Sequence, residues 1–127
     1  MTDLIGAWIA AVDSRGQCLV LHLEGVRHRG AVFAAKVMFD AATIAEAFDP
    51  RSPVTPPVLA AGLRVLSQDA QPGQTALQLE RVVGPGEVDE FRFVIAHGNV
   101  ICDLQFQAGR TLRSWLGFYP LARDLRR

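Results

Sequence analysis

The sequence lacks an excess of charge of either sign. Its 13 lysine and arginine residues balance 13 aspartate and glutamate residues, so the formal net charge is zero. Proteins that bind nucleic acid usually carry a basic excess that neutralises phosphates. The local basic runs are residues 27–29 and the tail 123–127, where Asp124 interrupts the charge. We therefore expect no nucleic-acid partner, whereas zero net charge is compatible with a homodimer.

The sequence also lacks a long apolar run and a framework of cysteines. No stretch of about 20 apolar residues is present, so we expect no membrane-spanning segment. Met1-Thr2-Asp3 places no basic region ahead of the first apolar stretch, so we expect no signal peptide. Cys18 and Cys102 each lie within an apolar strand-like run. Their setting predicts reduced, buried thiols in a cytoplasmic protein, and the alternative is one bridge between neighbouring strands.

The motifs that mark several enzyme classes are missing. The turn Gly84-Pro85-Gly86 is not followed by the lysine and helix of a phosphate-binding loop, and there is no Gly-x-Ser-x-Gly elbow. The three histidines do not have metal-ligand spacing. We therefore expect no cofactor, no metal, and neither acyl transfer nor nucleotide hydrolysis.

What the sequence does contain is a recurring strand pattern. Half of the residues are hydrophobic and 20% are charged, which is typical of a folded chain, and the 127 residues suit a single domain, 1–127. Residues 91–96 and 100–106 both alternate between apolar and polar side chains, with His97-Gly98-Asn99 between them. This pattern predicts an antiparallel hairpin with one buried face.

Further segments extend the pattern to about eight strands. Alternation predicts strands over residues 17–24, 31–39, 75–83 and 111–119, whereas residues 4–12 and 58–66 fit a strand or a helix equally well.

The period changes after residue 39. Asp40 is a good N-cap, and Ala41, Ile44 and Phe48 share a helical face, so we predict a short helix over residues 40–48. Residues 49–57 contain four prolines, which exclude a helix and a central strand, so we predict a surface connection within the single domain.

Closing an antiparallel sheet of about eight strands into a barrel removes its exposed edges and can enclose one small ligand. The segment Leu4-Ile5-Gly6-Ala7-Trp8 resembles the Gly-x-Trp that opens the first strand of the calycins, the group of lipocalins, fatty-acid-binding proteins and avidins. The resemblance implies that the tryptophan closes one end of the barrel and that an arginine of the last strand, Arg110 or Arg113, packs over it. The favoured fold is a mainly β protein with an antiparallel, up-and-down, barrel-like sheet and one short helix.

A second resemblance supports a rival fold. Phe91-Arg92-Phe93, followed by a glycine turn and Val100, resembles the late hairpin of the nuclear-transport-factor-2 and ketosteroid-isomerase group. This resemblance implies an α+β cone with a curved antiparallel sheet, in which the first segment is a helix. Residues 17–39 read as two strands, and they favour the barrel.

Three residues are candidates for catalysis. His22 lies on a strand face with Cys18 and Val20, where it is either a general base in a pocket or a solvated strand histidine. Asp103 is either a base that lines a cavity or part of the water-facing side of its strand. Tyr119 is the candidate hydrogen-bond donor.

Four residues are candidates for binding a ligand. Trp8 and Trp115 offer flat apolar faces with a polar group, although core packing explains them equally simply. Arg64 and Glu80 are charged residues within strand-like runs, and their side chains point either into a cavity or towards water.

These observations lead to three functional hypotheses. The first is a small-molecule-binding protein that holds an apolar or amphipathic ligand in a barrel cavity. The second is a cofactor-independent isomerase or cyclase that acts on a hydrophobic substrate in the same cavity. The third is a non-catalytic, homo-oligomeric interaction module with an exposed apolar patch. Strand register decides between them, because it determines whether His22, Glu80 and Asp103 converge inside the sheet or lie outside it.

Overall fold

The computed structural model describes residues 3–105 and the backbone of residues 111–114. All regular elements in these ranges are strands, and they form one antiparallel sheet in the order β4-β7-β6-β5-β1-β2-β3-β8-β9. The nine strands are β1 (Trp8–Arg15), β2 (Cys18–His28), β3 (Ala31–Phe39), β4 (Thr43–Phe48), β5 (Arg64–Gln71), β6 (Gln74–Gly84), β7 (Glu87–Ala96), β8 (Val100–Gln105) and β9 (Thr111–Ser114). Within the described ranges, no helix is long and apolar enough to cross a membrane.

Two-residue turns join several neighbouring strands. Arg29 and Gly30 link β2 to β3 with φ angles of 50° and 79°. Positive φ at both central residues is typical of the type I′ turn, whose twist matches that of the flanking strands. Pro72 and Gly73 link β5 to β6, and the φ of 80° at Gly73 fits the second central position of a type II turn. These turns fix the register of the strands that they join.

The hydrophobic core lies on one face of the sheet. In successive strands the buried residues oppose one another, so that Leu21, Val37 and Cys102 form one row across β2, β3 and β8. Val65, Leu79 and Phe91 form a corresponding row across β5, β6 and β7. Both rows belong to a single core cluster. Because one sheet buries its own apolar face, its two halves must fold over and pack against each other.

The strand order departs from the predicted up-and-down order. Chain neighbours pair from β1 to β2, β2 to β3, β5 to β6 and β6 to β7, but β3 pairs with β8 and β4 pairs with β7. The chain therefore crosses between the two halves twice, through the three-residue connections 40–42 and 97–99.

The predicted hairpin over residues 91–106 is consequently wrong. Both of its strands exist, as β7 and β8, but β7 pairs with β6 and β4, whereas β8 pairs with β3 and β9. The connection between the two strands forms hydrogen bonds with two other connections of the chain. The His97 amide donates to the Gly73 carbonyl at 3.0 Å, and the Gly98 amide donates to the Asp40 carbonyl at 2.7 Å. The tight break is thus a corner between two halves of the sheet and not a hairpin turn.

A buried polar pair supports this corner. Thr75 and His97 are 0% and 8% exposed, and the Thr75 Oγ1 lies 2.8 Å from the His97 Nε2. The His97 Nδ1 lies 2.8 Å from the Gly98 carbonyl oxygen, which can only accept, so Nδ1 carries the proton and Nε2 accepts from the threonine hydroxyl. Burial lowers the pKa of His97, and this effect outweighs the Gly98 carbonyl, which favours the protonated ring.

The predicted short helix at 40–48 is also wrong. The Asp40 amide donates to the Asn99 carbonyl at 3.0 Å, so this residue belongs to the corner instead of capping a helix. Ala41 has a φ of 49°, in the left-handed region that interrupts a right-handed helix. Residues Thr43–Phe48 then pair with β7, and this pairing overrides the helical propensity of the alanines.

The two ambiguous segments resolve in different ways. The first is a strand from Trp8 onwards, whereas residues 58–63 are irregular and β5 begins at Arg64. Residues 49–57 form an irregular connection that is largely exposed. Asp49 is its buried end, with 7% exposure, and its Oδ1 accepts a hydrogen bond from the Arg51 amide at 2.9 Å.

The sheet is not closed into a barrel. Among the described pairings, β4 joins only β7 and β9 joins only β8, so both strands are edges. The space between the two halves is filled by core side chains, of which Phe39, Phe93 and Leu79 are among the largest fully buried. The mainly β, antiparallel class is confirmed, while the likeness to calycins stays a prediction.

Candidate functional site

An open groove crosses the outer face of the sheet, on the side away from the core. It runs over β1, β2, β3 and β8 and has a volume of about 360 Å³. Its lining residues are Ala10, His22, Leu23, Glu24, Ala34, Ala35, Lys36, Asp103 and Gln105. Ala10 and Ala34 leave space between longer polar side chains, because each is exposed and projects only a methyl group from the pleated surface.

Strand register brings the polar side chains of the groove into one row. His22 of β2 opposes Lys36 of β3, and Lys36 opposes Asp103 of β8. Directly opposed residues in antiparallel strands have Cβ atoms about 5 Å apart, close enough for their side chains to interact. Neighbouring residues along a strand point to opposite faces of the sheet. The adjacent apolar row of the same three strands is buried in the core, so the polar row must point outwards.

His22 is oriented by a carboxylate of the neighbouring strand. Its Nε2 lies 2.9 Å from the Asp13 Oδ2, and both side chains are partly exposed. Since the carboxylate accepts, Nε2 carries the proton in the neutral ring, and the lone pair resides on Nδ1. This arrangement is the usual way in which a protein fixes the tautomer of a histidine base.

Two charged groups of the groove have no ionic partner in the described part of the chain. Lys36 is the only lysine in the sequence. Neither its ammonium nor the Glu24 carboxylate takes part in an ion pair with a described residue, although both are exposed and line the groove. The groove therefore offers one positive and one negative group that no described residue pairs.

A second cluster lies further along the outer face. Trp8 of β1 opposes Arg64 of β5, and Arg64 opposes Glu80 of β6. The Arg64 guanidinium carbon is 5.7 Å from the centre of the Trp8 ring, within the range of a cation–π contact. The Arg64 Nη2 lies 3.0 Å from the Glu80 Oε1, and the buried Arg64 Nε has no hydrogen-bond partner among the described residues.

The two clusters meet at Glu24, which opposes Trp8 in the β1–β2 register and also lines the groove. Trp8 is 40% exposed and lies on the outer face. The calycin resemblance implied Arg110 or Arg113 as the arginine over this tryptophan, and the structure places Arg64 there. Arg110 lies outside the described residues, and only the backbone of Arg113, opposite Asp103, is described.

Sequence reasoning identified part of this surface. His22 and Asp103 share the groove, while Trp8, Arg64 and Glu80 share the neighbouring row. The five residues lie on the outer face, so the expectation of a site inside a barrel is not met by their placement. Trp115 and Tyr119 lie outside the described residues.

Asp13, Glu24 and Lys36 are further polar residues of this surface that are not among the candidates predicted from the sequence. Asp13 lies in the polar run Asp13-Ser14-Arg15-Gly16, whose composition favours a turn, whereas β1 continues to Arg15 and brings the carboxylate to His22. Lys36 is the only charged residue of β3, and its even position among the apolar odd positions was the available signal that it faces outwards. Glu24 lies within the register shift between Leu23 and Val26 of β2, where the regular pairing with β3 is interrupted.

The described residues do not bring three or more histidine, cysteine, aspartate or glutamate side chains together as metal ligands. Cys18 is half-buried and Cys102 is buried.

Neither a protein-family model, nor a curated protein, nor a solved structure matches this chain.

Proposed function

We propose that this protein binds a small amphipathic molecule in the groove over β1, β2, β3 and β8. The observation that carries the proposal is the combination of alanine gaps with charged and hydrogen-bonding side chains in one concave surface. Ligand sites of proteins have volumes of roughly 300–1,000 Å³ and a few convergent polar groups, and the groove agrees with both features. The proposal puts the ligand on the outer face, because core side chains fill the space between the halves of the sheet.

Binding is tested by chemical-shift mapping of the ¹⁵N-labelled protein with short-chain amines, short-chain carboxylates and amino acids. We expect saturable shifts at groove residues such as Ala34 and Gln105. The variant Ala34→Phe fills the groove, and it should weaken binding about tenfold or more, since a ring in the site removes the contacts of the ligand. Ala31→Phe is the matched control, because Ala31 is an exposed alanine on the same strand that does not line the groove.

Two results would overturn the proposal. The first is an absence of saturable shifts at the groove with the whole panel at millimolar concentration. The second is equal affinity of Ala34→Phe and the native protein, which would place the ligand elsewhere.

A cofactor-independent isomerase or cyclase is the second candidate, and the observation that favours it is the presence of His22 and Asp103 in one groove. The Asp13 carboxylate holds His22 in the tautomer whose Nδ1 can accept a proton. In such a reaction Nδ1 removes a proton next to a carbonyl and returns it to another position of the enolate. In this proposal Asp103 and Tyr119 supply further acid–base and hydrogen-bonding groups.

The reaction is tested by deuterium exchange of hexan-2-one in heavy water, followed by NMR. Exchange next to the carbonyl should exceed that in buffer, and both His22→Gln and Asp103→Asn should reduce it while they keep the native fold. Exchange that is unchanged in the two variants would remove these residues from the mechanism.

A further inference from the structure

The two charges of the groove that form no ion pair within the described part of the chain indicate the class of ligand that fits it. Lys36 and Glu24 lie on adjacent strands, since Lys36 opposes His22 and Glu24 follows His22 by two positions. Both side chains are exposed and line the same groove. A ligand with an ammonium group and a carboxylate on one carbon can therefore reach both side chains at once.

We infer that the groove binds a zwitterionic, amino-acid-like molecule, whose carboxylate pairs with Lys36 and whose ammonium group pairs with Glu24. This inference rests on the proposed ligand-binding function of the groove. The small side chains of Ala10 and Ala34 leave room for an apolar ligand side chain between the polar groups.

The other charges of the groove favour a zwitterion over an ion of either sign. Glu24 and Asp103 are acidic and Lys36 is basic, while His22 already pairs with Asp13. A simple anion would meet the Glu24 carboxylate as well as the Lys36 ammonium group, so part of its attraction to Lys36 would be cancelled. A simple cation would leave Lys36 without a partner and would be repelled by it. A zwitterion pairs with both Lys36 and Glu24 and adds no net charge.

The sole lysine gives this inference a direct readout. Reductive methylation with ¹³C-formaldehyde labels the Lys36 amine and the amino terminus, and it leaves the positive charge on each nitrogen. The Lys36 methyl resonance can then be followed during titration with three matched probes. They are norleucine, hexanoate, which lacks the ammonium group, and pentylamine, which lacks the carboxylate. Affinities for the unmodified protein are measured in parallel by ¹⁵N shift mapping.

We expect norleucine to bind about tenfold more tightly than hexanoate or pentylamine and to shift the Lys36 methyl resonance, because each lost charge-assisted hydrogen bond costs about a factor of ten. Glu24→Gln should abolish the preference for norleucine over hexanoate. Lys36→Met should abolish the preference for norleucine over pentylamine. Glu90→Gln is the control, because Glu90 is an exposed carboxylate that does not line the groove, and it should retain both preferences.

The outcomes separate this inference from the proposed function. If hexanoate or pentylamine binds in the groove as tightly as norleucine, the groove is a ligand site but the zwitterion inference is wrong. If Lys36→Met and Glu24→Gln leave both preferences unchanged, the assignment of the two charges is wrong. If none of the three probes shifts a groove resonance, while other members of the panel do, the zwitterion inference fails and the proposed function stands. If no member of the panel binds, both fail.

Discussion

The substitution Thr75→Val tests whether one buried hydrogen bond holds the corner where the two halves of the sheet meet. Thr75 is fully buried, and its hydroxyl donates to the His97 Nε2 over 2.8 Å. Valine keeps the branched shape and the preference for strands, but it deletes the donor. Removing a hydrogen-bond donor from a site that water does not reach costs about 1–3 kcal/mol. We therefore expect the free energy of unfolding to fall by about that amount.

Urea denaturation at pH 8 measures this loss, because His97 is neutral there in both the folded and the unfolded chain. The dependence of the free energy on urea concentration should stay the same, since valine does not change the surface exposed on unfolding. Thr43→Val is the matched control, because Thr43 is an exposed residue at the start of β4. A surface change of this kind should alter stability by less than about 0.5 kcal/mol.

Amide hydrogen exchange locates the effect. The His97 and Gly98 amides donate to carbonyls of two other connections, Gly73 and Asp40. Loss of the Thr75 hydroxyl should speed exchange at these amides more than at core amides such as that of Val37. A Thr75→Val variant as stable as Thr43→Val, with unchanged exchange at the corner, would refute the reasoning.

Two further predictions concern titration and thiol accessibility. Because burial lowers the pKa of His97 in the folded chain, the unfolded chain binds more protons at pH values between that lowered pKa and 6.5. The contribution of neutral His97 to the free energy of unfolding should therefore be fully present above pH 6.5. It should decrease as the pH falls towards the folded-state pKa. Thermal unfolding of His97→Gln should lack this part of the pH dependence, and identical pH profiles for the variant and the native protein would contradict it. Cys18 is half-buried and Cys102 is buried, so a thiol reagent should modify Cys18 first and Cys102 only when the protein unfolds. Mass spectrometry of the modified protein distinguishes the two sites, and equal rates would contradict the burial of Cys102.

The sequence predicts the strands of this fold better than it predicts their partners. Alternation of side chains is a local property, and it correctly places Phe33, Val37 and Phe39 on the buried face of β3. Pairing depends on contacts between distant segments. Residues 91–106 have the local pattern of a hairpin, yet the His97 and Gly98 amides of the intervening connection donate hydrogen bonds to the Gly73 and Asp40 carbonyls, and the chain passes to the other half of the sheet. No feature within that segment signals these partners.

The candidate site shows the same division. Alternation in β2 and β3 already separates His22 and Lys36 from the apolar residues beside them, so their outward orientation follows from the sequence. The convergence of Asp103 with them could not be predicted, because it requires that β8 pair with β3. The contact between Trp8 and Arg64 likewise depends on a short ladder between β1 and β5, which are separated by three strands in the chain.

The core and the groove are nevertheless specified together. Leu21, Val37 and Cys102 form a buried row, and the row next to it on the opposite face contains His22, Lys36 and Asp103. A shift of one residue between β3 and either neighbour would expose the first row and bury the charges of the second. Burying a charge without a partner costs several kcal/mol, so the groove row opposes the same register errors that the core row opposes. The neutral variant Lys36→Met lowers the cost of such a register shift, because methionine can be buried without a partner. Its binding measurements therefore require an amide spectrum in which the resonances of β3 and β8 remain those of the native protein.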